Sequence, residues 1–144
     1  MNFKKQAEKL ERLLEEEFKT KKPIISLPDN SLVYKNYKII RNKHNLYELR
    51  HISGDLIDYF KLKVTALLAA KFYGTTRFDR FKEVQNLDID YWTNSIDSVI
   101  FKYKLDNTKD SIKRDIFSAR WQLTYHRAEN SKQVITRMFR YNFG

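Results

Sequence analysis

Hydrophobic positions along the chain switch several times between a helical and an extended period. Phe3, Ala7, Leu10, Leu14 and Phe18 recur at steps of three and four, a narrow stripe that predicts an amphipathic helix, or arm, over residues 1–22. The segment KKPIISLPDNS holds both prolines of the chain and reads as the loop that ends this helix. Strict alternation follows. Tyr37, Ile39 and Arg41 alternate with Lys38, Ile40 and Asn42, and Leu46, Glu48 and Arg50 alternate with Tyr47, Leu49 and His51. That pattern predicts an antiparallel hairpin, preceded by a short strand at Leu32–Lys35.

ISGDLIDYFKLKVTALLAAKFYG predicts a central helix, with Ser53 or Asp55 as its N-cap and Gly74 as its stop. Ala66, Ala69 and Ala70 share one side of it, where another helix can approach closely. TTRFDRFKEV predicts a short helix with Phe78, Phe81 and Val84 turned inward. From Ile89, the steps to Trp92, Ile96, Val99 and Tyr103 are again three and four. Residues 98–105 also alternate as a strand would, and the longer helical pattern is preferred. A final helix is expected over roughly residues 108–141, capped by Asn107 or Thr108, with a break near Asn130–Ser131 as the alternative. It carries two apolar rows. Ile112, Ile116, Ala119 and Leu123 form one; Phe117, Trp121 and Ala128 form the other, and Val134, Tyr141, Ile135 and Phe139 keep the phase. These elements give an α+β fold: one helix-rich domain over residues 23–144, with a small antiparallel meander and a long basic C-terminal helix.

The chain has 144 residues, enough for one self-sufficient core, and its 10 Phe and 9 Tyr argue against disorder. With no cysteine there is neither a disulfide framework nor a thiolate site. No apolar run is long enough to cross a bilayer, and the charged N-terminus lacks a signal-peptide core, so an intracellular setting is expected. The net charge is +10, and residues 101–144, with ten basic and four acidic side chains, supply +6 of it. Such asymmetry suits an acidic partner.

Catalytic patterns are sparse. His44, His51 and His126 lie in unrelated contexts, no nucleophile elbow or phosphate loop is present, and neither a catalytic residue nor a metal, cofactor or membrane contact is implied. Asp88 and Asp90, in LDID, give only a weak metal-ligand spacing. Pro28–Asp29 ahead of the meander and Glu48-Leu49-Arg50 on its last strand resemble the PD-(D/E)xK nucleases. That resemblance implies a helix, a meander, a helix and a further strand. Arg50 stands where those enzymes carry a lysine, and an arginine does not readily orient an attacking water. In its lysine, tyrosine and asparagine texture, LVYKNYKIIRNKHNLYELRH resembles the small cysteine-free proteins of tailed bacteriophages of marine bacteria. This resemblance implies virion assembly or host interaction, in a host cytoplasm or a virion.

The candidate binding residues are Lys109, Lys113, Arg120 and Arg127, aligned within about 40° of arc on the last helix, together with Trp121. Two readings compete for the aromatics of this helix. In one they wall a core while basic stems snorkel past them; in the other they stack on bases while the cations meet phosphates. The first makes the protein a non-enzymatic structural or interaction protein, working through a protein partner or as a homo-oligomer. The second makes it a nucleic-acid-binding accessory protein, and a nuclease comes third.

Overall fold

The computed structural model describes residues 4–6, 8–9 and 24–143. The apolar stripe of the expected N-terminal arm lies outside the described residues. The fold is α+β. Five strands, β1 (Ile24–Ser26), β2 (Leu32–Tyr34), β3 (Tyr37–Arg41), β4 (Tyr47–His51) and β5 (Leu56–Phe60), form one antiparallel meander in chain order. Three helices follow: α1 (Lys63–Phe72), α2 (Phe78–Asp106) and α3 (Ser111–Phe143).

Turn chemistry sets the sheet. Lys35, at φ 51°, closes the tight β2–β3 turn. Between β3 and β4 the Asn42 side chain accepts the backbone N–H groups of His44 and Leu46, and Asn45 takes a left-handed φ of 61°. Gly54, at φ 111°, turns the chain from β4 into β5, a conformation closed to most side chains. Here the sequence expectation fails. Residues 53–55 form a hairpin turn and not a helix cap, LIDYF joins the sheet, and the helix begins only at Lys63. The helical phase of 64–70 had run by coincidence into an apolar edge strand. The proline segment likewise contains β1, which pairs Ile25 with Val33.

Tyr34, Ile39, Leu49 and Phe60 present one sheet face to the Ala66–Ala70 run of α1, and Phe81, Val84 and Ile135 complete the core from α2 and α3. Ala66, Ala69 and Ala70 are all buried in this core. On the other sheet face Ile25 and Val33 make a smaller cluster with Leu27 and Ile52. Gly74, at φ 73°, ends α1 as expected, and its bare Cα lies against the Tyr37 hydroxyl. The C-terminus of α3 is tied down: Lys71 donates to the Asn142 carbonyl at 2.7 Å and Phe143 packs edge-on against Tyr34.

The short helix and the segment expected to follow it are one 29-residue helix, α2, and residues 98–105 are helical. Phe78, expected inward, is 51% exposed at the first turn of α2, where its ring stacks on Phe81. The last helix runs without a break through Asn130–Ser131. Its cap is Asp110, whose carboxylate accepts the Lys113 N–H at 3.0 Å, and not Asn107 or Thr108. Among the described residues no helix is long and apolar enough to cross a membrane.

Asp88, in the middle of α2, is only 3% exposed. Its carboxylate accepts the backbone N–H groups of Lys61 and Leu62, at 2.7 and 3.2 Å, and the Thr65 hydroxyl. It therefore ties the entry of α1 to a different helix, satisfying the N–H groups of the N-cap residue Leu62 and of Lys61 before it. Burial pushes its carboxyl above the ordinary aspartate value, against the opposing pull of those three donors.

Asp88→Ala should destabilise the fold by about 2–4 kcal/mol in chemical denaturation, because it strands buried donors. Asp88→Asn allows a test of linkage. A raised folded-state pKa means that the folded chain takes up this proton before the unfolded chain does. The wild type should therefore gain stability relative to Asp88→Asn as pH falls from neutral towards the ordinary aspartate value. A pH-independent difference would contradict the shift.

Candidate interaction surface on the helical hairpin

Helices α2 and α3 pack antiparallel, and residues 92–134 contribute nothing to the main core. The outer half of the hairpin thus extends about 20 Å past the body, at 1.5 Å per residue for the last turns of α2. Its inner seam is built mostly of small and polar side chains. Ser98, Leu105, Thr124 and Ala128 are buried there, and the Ser98 and Thr124 hydroxyls donate to carbonyls of their own helices. Small residues let the backbones approach.

Aromatics flank this seam, and cations cover them. Lys102 Nζ stands 4.5 Å from the Trp121 ring centre. Lys104 lies over both Phe101 and Phe117, at 5.9 and 5.8 Å, and the Arg120 guanidinium over Phe101 at 5.8 Å. Each such contact is worth roughly 0.5–1 kcal/mol where water has access. Arg114 donates to the Leu105 and Thr108 carbonyls and so closes the tip. Trp121 is half-buried by its neighbours, which leaves it a packing residue and no open stacking platform.

The expected basic row survives in part. Lys113, Arg120 and Arg127 are exposed and two helical turns apart on α3. Lys109 is exposed too, but it lies in the link before α3, so helical geometry does not place it in the row. Lys109, Lys113 and Arg127 make no ion pair among the described residues. Lys104 of α2 joins Arg120 on the same side of the hairpin through Phe101.

Of the two apolar rows on α3, the one with Phe117, Trp121, Ala128, Ile135 and Phe139 faces inward. The other is open to solvent, with Ile116 46% and Leu123 49% exposed. The stripe read on α2 from Ile89 to Tyr103 is likewise open to solvent. Ile89, Ile96, Val99, Ile100 and Tyr103 are all exposed, and Trp92 is half-covered beneath Lys61. The signal was present in the steps of three and four, which are those of a coiled-coil seam. They identify the helix but not which neighbour it meets.

The nuclease-like residues form no comparable site. Asp29 accepts from Ser31 and pairs with Lys38 at 3.8 Å. Glu48 accepts from Arg50 at 2.8 Å and from Asn42 at 3.2 Å, so both its oxygens are engaged, and the Arg50 hydrogen bond first of all holds its carboxyl below the ordinary value. Glu48 borders an open hollow of about 570 Å³ with His44, Leu46 and Tyr59. The further strand implied by that resemblance is replaced by helix α2, and the sheet is antiparallel throughout. No cluster of three potential metal ligands occurs among the described residues.

Trp121→Ala should cost about 1.5–2.5 kcal/mol in chemical denaturation, half the loss of a fully buried tryptophan. A change below 0.5 kcal/mol, roughly that of a neutral surface substitution, would show that the ring holds nothing in place.

Compared with family models, with curated proteins and with solved structures, the chain finds no match.

Proposed function

We propose that this chain is a non-enzymatic interaction protein whose α2–α3 hairpin docks on protein. The carrying observation is the pair of solvent-facing apolar stripes, Ile96 to Tyr103 on α2 and Ile112 to Leu123 on α3, on a part of the hairpin that adds nothing to the main core. Contiguous exposed apolar surface on a helical projection is where a partner displaces the most water. A part in virion assembly or in contact with host proteins belongs to the same proposal.

A second reading rests on Lys113, Arg120 and Arg127, exposed cations at even spacing that suit a phosphate backbone. Protein docking is favoured over it because the apolar stripes would remain uncovered on nucleic acid, and because Trp121 and Phe117 lie under lysines where bases would have to stack.

Two measurements separate the readings. A photo-crosslinker placed at Val99 should capture protein at high salt and lose that capture in the Ile96→Glu background, whereas one at Lys43 should capture none. Fluorescence titration with single-stranded and duplex DNA should give weak binding that high salt abolishes. If it arises from the basic row, its salt slope is roughly −0.9 per neutralised phosphate, flattened in the Arg120→Gln/Arg127→Gln protein. Tight DNA binding without salt-resistant protein capture would put the second reading first.

A further inference from the structure

We infer that the partner of each stripe is the opposite stripe of another copy of this chain, so that hairpins assemble side by side, α2 of one against α3 of the next. This rests on the reading of the hairpin as a protein-docking element and adds the identity of what docks.

Three cation–π contacts fix how α2 and α3 face each other: Lys102 with Trp121, Lys104 with Phe117 and Arg120 with Phe101. Buried Ser98 and Leu105 mark the inner side of α2, and Ala128 and Ile135 that of α3. At about 100° per residue, Ile89, Ile96 and Tyr103 lie roughly opposite the inner side of α2, and Ile116 and Leu123 lie about 120° round from that of α3, on its outer flank. The helices are antiparallel, so the two stripes occupy opposite outer edges of one hairpin. An interface using both is therefore heterologous: one copy offers its α2 edge and the next its α3 edge. Repeated around an axis parallel to the hairpins, such contacts close into a ring of three or more copies or continue as a filament.

The stripes also match in period and in charge. Ile96, Val99 and Tyr103 of one copy and Ile116, Ala119 and Leu123 of the next both recur at steps of three and four, the spacing that lets two helices interdigitate side by side. Between Lys82 and Lys102, α2 has no basic residue but carries Asp90 and Asp97 beside its stripe, seven residues apart. Beside the α3 stripe stand Lys113, Arg120 and Arg127 at the same spacing of seven. When α2 and α3 of neighbouring copies pack antiparallel, both charged rows fall on the same side of the contact. Within one chain neither Asp90 nor Asp97 forms an ion pair among the described residues, so both are available across an interface. Acidic flank on basic flank selects the α2–α3 contact over α2–α2 or α3–α3, which would oppose like charges.

Light scattering after size exclusion tests this with the full chain. The wild type should show a mass of three or more copies that falls on dilution. Ile96→Glu, which spoils only the α2 edge, and Leu123→Glu, which spoils only the α3 edge, should each be monomeric. Mixed, they should form a one-to-one complex, because each retains the edge that the other lacks. Asp97→Lys should weaken wild-type assembly about tenfold. Both main substitutions fall on side chains about half exposed, and far-UV circular dichroism with a melting curve checks each fold. Val99→Glu and Ile116→Glu replace whichever variant fails to fold. A wild type that stays monomeric at every concentration would overturn the inference and would leave the protein-docking reading standing. A dimer indifferent to one of the two substitutions, or mixed variants that do not associate, would overturn it equally.

Discussion

The structure depends on one buried carboxylate. Asp88 reaches from α2 to the junction where β5 ends and α1 begins, and holds the N–H groups of Lys61 and Leu62 and the hydroxyl of Thr65. It satisfies the backbone N–H of the N-cap residue Leu62 from another helix, where no local side chain caps α1. The same contact fixes where along its length α2 meets the sheet. Nearby, Gln85 donates to Asp58 of β5 at 2.6 Å and repeats the link one turn earlier. With α2 pinned at these points, everything C-terminal to about Tyr91 must project beyond the body. An apolar residue in place of Asp88 could fill the volume, but it could not specify this placement, because burial alone leaves a helix free to slide along its neighbour.

Beyond that anchor a different kind of cohesion takes over. The body is held by close-packed aliphatic and aromatic side chains around the alanines of α1. The projecting hairpin is held by small buried residues along its seam and by lysines and an arginine over aromatic rings. Cation–π contacts tolerate water on one side. They let the hairpin persist while its large aliphatics, Ile96, Val99, Ile100, Ile116 and Leu123, point away from its own axis. A hairpin that needed those residues for its own seam would have no stripe to offer a partner.

This division explains what the sequence reveals and what it hides. The meander from Leu32 to His51 is legible because alternation and turn residues agree, and the last helix is legible because its phase holds across a polar stretch. The strand Leu56–Phe60 is hidden because its apolar residues join the helical phase of Val64–Ala70, and only Lys61 and Leu62 separate the two. Asp88 is hidden for another reason. As one of a spaced acidic pair it resembles a solvated helix start, and its partners lie about 25 residues back in the chain. Local pattern carries no signal of a cap supplied from afar.

The two apolar rows of α3 show where such reading must stop. A period identifies a helix and separates its faces, but the chemistry of the rows does not rank them. Isoleucine and leucine fill the row left in solvent, while phenylalanine, tryptophan and alanine fill the row turned inward. By transfer free energy alone the aliphatic row has at least as strong a claim to burial. What decides is the opposing helix, where Ser98 and Leu105 leave shallow space between the backbones that alanine and threonine can enter, and where Lys102 and Lys104 supply covers for flat rings. Burial in this hairpin follows complementarity between two surfaces rather than hydrophobicity of one. The aliphatic rows, with Ile116 46% and Leu123 49% exposed, still carry a free energy of dehydration that a further contact would release.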